Sequence, residues 1–484
     1  MNPILKPGTS VNDVGAKPPS SIKWALTGLS LSMLLSSLGT SIANVALPML
    51  VAAFHASFQQ VQWVVLAYLL AITTLIVGVG RIGDVIGRRR LMLTGIFIFT
   101  FASILCGIAA SLWWLIAARA AQGLGAAIMM ALTLALVSET APKEKTGSAM
   151  GLLGTMSAIG TALGPTLGGL LIAGFGWRSI FFINLPLGVL TFIFAYLHLP
   201  ADRKSTTSLR ANFDIAGTLL LAVTLAAYAL AMTVHGNSVF GLLNIVLLLI
   251  AVSGACVFVL IETKARTPLI QLSMFQNPRQ SAGLAMSAIV TTVVMATLVV
   301  GPFYLSGALA LDTASVGLVM SSGPFIAALT GVPAGRIVDR WGAQQVSITG
   351  LVAMLVGCFI FSIITIRFGI AAYIAPLVII TAGYALFQTA NNTSVMSNIS
   401  PDQRGVVSGM LNLSRNLGLI TGASVMGAIF AFAANTGDVT AENPDAVARG
   451  MQMTFSVSLI FILLALAIAV LSGKLARKVL LPSV

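Results

Sequence analysis

The sequence predicts an all-α polytopic membrane protein with two six-helix halves and two further helices inserted between them. Three observations carry this: long uncharged apolar blocks, a one-sided distribution of Lys and Arg, and a motif repeated 255 residues apart. The chain has 484 residues, of which 57% are hydrophobic and only 8% charged, with a mean hydropathy of +1.00. A soluble domain carries about 25% charged residues, so a chain this apolar needs lipid as its solvent. Its apolar blocks run to roughly 20 residues, the length that crosses about 30 Å of hydrocarbon as a helix. Membrane strands need only about 10 residues each and alternate in polarity. These blocks do not alternate, which leaves helices, whose backbone groups are satisfied internally.

Spans are expected at about 24–50, 60–79, 91–110, 113–138, 147–173, 180–199, 214–234, 240–261, 281–306, 314–334, 346–366, 371–391, 405–433 and 452–472, fourteen in all. Residues 1–23 form a polar, proline-containing segment without a signal peptide's apolar core, read as a cytoplasmic tail. Residues 24–200 form the first six-helix half and 201–280 the inserted pair with its loops. Residues 281–473 form the second half and 474–484 a second cytoplasmic tail. Cys106, Cys256 and Cys358 all fall inside apolar spans and read as packing residues, with no disulfide framework and no metal site.

The formal charge of +13 follows from topology. With the tails and alternate loops on the cytoplasmic side, 21 of the 26 Lys and Arg lie inside. Only Arg178, Arg367 and Arg449 lie outside, and Arg119 and Arg415 fall within spans. That is the positive-inside pattern, and it accounts for the basic charge without nucleic acid.

The repeat is "GRIGDVIG" at Gly80–Gly87 and "GRIVDRWG" at Gly335–Gly342. Each copy follows the second span of a half and precedes the third, so the halves are related. Two such halves, with a substrate site between them near the midplane, are a transporter architecture. In each copy the glycines permit a tight reversal. Asp84, near Arg88, and Asp339, beside Arg340, can act as a latch by accepting from arginine or sitting at a helix N-terminus. The plainer reading is a basic loop with an incidental acid, and the second copy favours the latch.

Further motifs make a resemblance specific. The repeat resembles motif A of the major facilitator superfamily. "LIAARAAQGLGAA" at Leu115–Ala127 resembles motif B, with Arg119 in the basic position. "GTALGPTLGGLL" at Gly160–Leu171 resembles motif C, and "WRSIFFINLPLG" at Trp177–Gly188 resembles an element of the fourteen-span drug:proton antiporter branch. The resemblance implies a proton-coupled exporter of small amphipathic compounds working by alternating access, multi-pass in a bacterial inner membrane. It also implies that Arg119 relays proton state to the substrate site and that motif C goes with export.

Arg119 reads on its own as an interior cation, because a guanidinium in lipid costs at least a few kcal/mol unless paired or hydrated. Snorkelling is the alternative. Arg415, in "LNLSRNLG", is the analogous charge of the second half, a candidate partner of Asn412, Asn416 or backbone carbonyls. Gly160, Gly164 and Gly168 around Pro165 form a flat face with a bend, read as a hinge and seal between halves. Candidate cavity residues are Asn44, Tyr68, Met129, Ser157, Tyr304, Gln388 and Asn392. For each, an interhelical hydrogen bond or ordinary core packing is the bland alternative.

The acids set the limits. No Asp or Glu falls at the middle of an expected span. In the fourteen-span branch the first-helix element usually reads Leu-Asp-x-Thr-Ile-Val-Asn-Val-Ala-Leu-Pro. Here "SLGTSIANVALP" places Gly39 where the aspartate stands. This departure argues against strongly cationic substrates and favours neutral or anionic ones. No His pair at metal spacing, no Gly-x-Ser-x-Gly and no phosphate-binding Gly-Lys loop occurs. The expectation is therefore no enzyme, no cofactor and no ATP: a monomer whose partners are its substrate, protons and lipid. A metabolite exporter, facilitator or importer without proton exchange is the alternative, and a polytopic enzyme or sensor the remote one.

Overall fold

A computed structural model describes residues 19–140, 146–202, 215–233, 241–264, 277–396, 404–434 and 443–480. Each expected span overlaps a helix among the described residues. The first half holds α1 (Pro19–Phe54), α2 (Phe58–Ile86), α3 (Arg88–Gly107), α4 (Leu112–Thr140) and α5 (Thr146–Phe175), then the broken pair α6 (Ser179–Phe182) and α7 (Asn184–His198). The inserted pair is α8 (Ile215–Thr233) and α9 (Leu242–Lys264). The second half holds α10 (Pro278–Phe303), α11 (Thr313–Trp341), α12 (Ala343–Ile363), α13 (Gly369–Met396), α14 (Arg404–Thr421), α15 (Gly427–Ala433) and α16 (Pro444–Leu480). α10 runs on through a π-helical turn at Tyr304–Ala308, and another, Gly422–Met426, joins α14 to α15. Among the described residues twelve helices are long and apolar enough to cross a membrane. Two further apolar stretches, Ile159–Phe175 and Gly217–Thr233, are shorter.

Local chemistry sets the helix boundaries. Ser57 and Gln60 form a reciprocal capping box that starts α2, with Ser57 N–H donating to Gln60 at 2.9 Å and Gln60 N–H to Ser57 at 3.2 Å. Asn277 caps α10 ahead of Pro278, whose missing N–H costs nothing at a first turn. Asp312 caps α11 through the Ala314 and Ser315 amides. Gly87 and Gly342, the last residues of the two repeat copies, have φ of +106° and +81°. Each is a one-residue joint between long helices, in a region that disfavours any residue with a Cβ. The sequence repeat is thus a structural repeat.

The end of the bundle where α1 starts is called proximal, and the opposite end distal. The halves meet distally. Phe58 packs on Phe303 and Phe430 at ring separations of 4.7 and 5.6 Å, and Gln62 Nε2 donates to the Ala423 carbonyl at 3.0 Å. A Cβ built on Gly169 would come within 2.7 Å of Gly317 Cα in the other half. Among the described residues, a Cβ built on proximal Gly331, Gly335 or Gly409 would meet no atom within 4 Å, and the same holds for Gly174, Gly176 and Gly369 at distal helix ends. The inserted pair touches both halves: Trp63 Nε1 of α2 donates to Thr233 at 3.1 Å, and the Tyr228 hydroxyl donates to Thr421 of α14 at 3.2 Å.

Candidate functional site: a buried guanidinium without a carboxylate

Arg119 lies two turns into α4 and is completely buried. Its Nε donates to the Val64 carbonyl of α2 at 2.9 Å. That oxygen also belongs to a helix, and its second lone pair takes the arginine. Nη1 donates to Gln122 Oε1, three residues on and so on the same helix face. Gln122 Nε2 donates in turn to Ser103 Oγ of α3 at 2.7 Å, and Ser103 donates to the Phe99 carbonyl at 2.7 Å. The Tyr68 ring lies 4.1 Å from the guanidinium carbon, and its hydroxyl donates to the Ser36 carbonyl of α1 at 2.7 Å. Four helices thus converge on one cation.

The magnitudes explain how the charge is tolerated. Burying it costs at least a few kcal/mol. Each hydrogen bond to a charged group returns about 1.5–3 kcal/mol, and a desolvated cation–π contact about 2 kcal/mol. Neutral dipoles and one ring therefore offset the cost without an acid. No described carboxylate contacts Arg119, and its Nη2 has no hydrogen-bond partner among the described residues.

Gly39 sits beside this network. A Cβ there would lie 3.0 Å from Tyr68 Oη and 3.2 Å from Phe99 Cζ. A carboxylate at this position would thus stand next to the phenol stacked on Arg119.

The rest of the polar first helix faces α5. Ser37 and Ser157 hydroxyls are 2.7 Å apart, and Ser41 donates to the Gly160 carbonyl at 3.4 Å. Asn44 Nδ2 donates back to the Thr40 and Ser41 carbonyls at 3.2 Å, while its Oδ1 is unpartnered. Cβ atoms on Gly160 and Gly164 would collide with Leu34 and Ser41 of α1, and one on Gly168 would press on Ile42. The expected seal between halves is therefore split. Three glycines of this face pack within the first half, and Gly169 and the Pro165 carbonyl meet Gly317 across the divide.

Among the other expected residues, Met129 is buried in the first-half core. Tyr304 packs on Tyr373 inside the second half, ring to ring at 6.0 Å, with its hydroxyl unpartnered. Gln388 is half-buried and Asn392 exposed. Arg415 is half-buried and makes no hydrogen bond or ion pair among the described residues. The Asp84 side chain lies outside the described residues, whereas Arg88 is half-buried, and Asp339 and Arg340 are exposed.

Sequence reasoning missed the proximal anchor of α3. The Asp202 carboxylate accepts from the Arg89 and Arg90 amides at 2.8 and 3.2 Å, and Arg89 Nη2 donates to the Tyr196 carbonyl at 2.6 Å. It missed Gln122 as well, although the spacing of three from Arg119 was a usable signal.

Two six-helix groups joined at one end, with a buried cation at the crossing of four apolar helices, define a membrane transporter. The chain belongs to the Major Facilitator Superfamily, whose sequence model matches residues 29–423. It is 32% identical over 413 residues to the riboflavin transporter RibZ of Clostridioides difficile, a match covering 84% of this chain and 88% of that protein. It is 33% identical over 410 residues to the multidrug resistance protein Stp of Mycobacterium tuberculosis, covering 84% and 75%. Its fold is similar to that of a bacterial homologue of the human lysosomal transporter Spinster, with a TM-score of 0.69 at 15% identity, covering 95% of this chain and 98% of that one.

Proposed function

We propose that this chain is a secondary exporter of small amphipathic compounds that works by alternating access. In this reading fourteen helices cross a cell's inner membrane and both termini are cytoplasmic. The proximal end is then the cytoplasmic one. The observation that carries the reading is the contact between the halves at the distal end, where Phe58 packs on Phe303 and Phe430 and Gly169 crosses Gly317. In this reading the closed distal end leaves the carrier open toward the cytoplasm. Sequence similarity to a multidrug resistance protein supports small-molecule export.

Arg415, on a helix that borders the divide and without a partner among the described residues, is the cation offered to substrate. Arg119, through an Nη2 without a partner among the described residues, is the one that senses the packing of α1 to α4. Asp84 and Asp339 act as latches at the proximal face.

The second reading is a carrier of a neutral or anionic metabolite that does not exchange protons. Gly39 favours it, because Arg119 then has no carboxylate neighbour to titrate, and so does the similarity to a riboflavin transporter. Flux into proteoliposomes under an imposed pH gradient separates the two. Export coupled to protons requires that collapsing the gradient lowers accumulation, and that Arg119→Ala abolishes flux while insertion is retained. Flux indifferent to the gradient selects the uncoupled carrier. Flux unaffected by Arg119→Ala removes the site from either reading.

A further inference from the structure

A polar cavity lies away from the divide between the halves. It occupies about 300 Å³ at the proximal end of the second half. Among the described residues, Arg279 of α10, Gln344 and Ser347 of α12, Asn391 and Ser394 of α13 and Ser472 of α16 line it, and none of the first half does. Among the described residues the lining contains one cation, several amides and hydroxyls, and no acid.

Two independent features point to an anion. α12 begins at this cavity, with Ala343 and Gln344 in its wall. Its N-cap is Gly342, which supplies no side-chain hydrogen bond. A 21-residue helix therefore presents uncapped amides and the positive end of its dipole here. One turn further on, Ser347 is only 6% exposed, and its hydroxyl has no partner among the described residues. A buried hydroxyl is normally hydrogen-bonded, so this one awaits an acceptor in the cavity. The neighbouring amides are already committed. Gln344 Nε2 donates to the Ala469 carbonyl, and Asn391 Nδ2 donates to Gly283 at 3.0 Å. They hold the walls, leaving Arg279, Ser347 and the α12 amides as donors.

We propose that this cavity binds a phosphate-bearing anion at the proximal face, separate from the transport path. Arg279 supplies the charge at the rim and Ser347 a hydroxyl donor in the floor. Basic pockets between membrane helices can take phospholipid headgroups, and a soluble phosphate compound would meet the same donors.

The test uses the full-length protein purified in detergent, with two probes. Phosphatidylglycerol is compared with phosphatidylcholine of the same acyl chains by native mass spectrometry, and inorganic phosphate with chloride at matched ionic strength by thermal shift. The expected result is selective binding of at least one phosphate probe. Arg279→Gln weakens it about tenfold, the effect of losing one charge-assisted hydrogen bond. Arg279→Lys retains most of it, and Ser347→Ala weakens it without lowering the unfolding temperature in the absence of probe. Binding of phosphatidylglycerol alone identifies a headgroup site, and binding of inorganic phosphate identifies a soluble ligand. If neither probe binds selectively, or if the Arg279→Gln and Ser347→Ala variants bind as the parent does, the proposal is wrong.

Discussion

Arg119 and Arg415 are the two arginines that fall within expected spans, one in each half, and they are treated in opposite ways. Arg119 is fully buried, bonded to Val64 and Gln122 and stacked on Tyr68. Arg415 is half-buried and bonded to nothing among the described residues. A cation held by two hydrogen bonds and an aromatic face is part of the architecture, and one without partners among the described residues is available to a ligand. The halves keep their one-residue glycine joints at Gly87 and Gly342 but carry these arginines on non-equivalent helices, α4 in the first half and α14 in the second.

The contrast breaks most sharply at Arg119. Arg119→Ala leaves the Gln122 amide oxygen buried without its donor and removes the bond to Val64. A loss of about 2–4 kcal/mol is expected, with flux abolished, measured by thermal unfolding and proteoliposome transport together.

Next comes Gly39→Asp. The new carboxylate must displace Tyr68 and Phe99 by a few tenths of an ångström, at about 1–3 kcal/mol, and it places an acid beside the phenol on Arg119. Flux then becomes steeper with an imposed pH gradient than in the parent. An unchanged gradient dependence would mean that position 39 does not decide coupling.

Gly317→Ala acts at the distal crossing, where the added methyl meets Gly169 and the Pro165 carbonyl within 2.7 Å. The distal contact loosens, and a cysteine placed at Phe303 gains several-fold in reactivity toward a membrane-impermeant maleimide. Equal reactivity would show that the glycine pair does not hold the distal end.

The smallest effect belongs to Asp312. The Ser315 hydroxyl and the Ser315 and Ala314 amides hold its carboxyl below the usual range. Its contribution is present above the unfolded-state pKa of about 3.9 and is lost as pH falls through the lower folded value. Ser315→Ala raises that folded value and removes part of the stability present at the higher pH. The check is the unfolding midpoint of parent and variant between pH 3 and 6, which should converge at the acid end.

The helices and the repeat were legible because lipid imposes length and apolarity on every span, and because a reversal between long helices demands glycine. Arg119 was legible for the same reason: a charge in an apolar run must be paid for by something inside. Its partners were not. Val64 contributes a backbone carbonyl, which no side-chain pattern reveals, and Ser103 and Ser36 look like any helix serine. The polarity of "SLGTSIANVALP" read equally as cavity lining or as helix packing. Ser37 and Ser41 went to the α5 contact, while Gly39 ended beside the Arg119 network. Asp202 was hidden by distance, since it caps a helix that starts 114 residues earlier in the chain.

The most direct test of the two-arginine account is the thermal unfolding midpoint of Arg119→Gln and Arg415→Gln, measured side by side in one detergent. A drop of several degrees for Arg119→Gln and a near-parental midpoint for Arg415→Gln is the predicted result. Equal drops, or a larger one for Arg415→Gln, would contradict it.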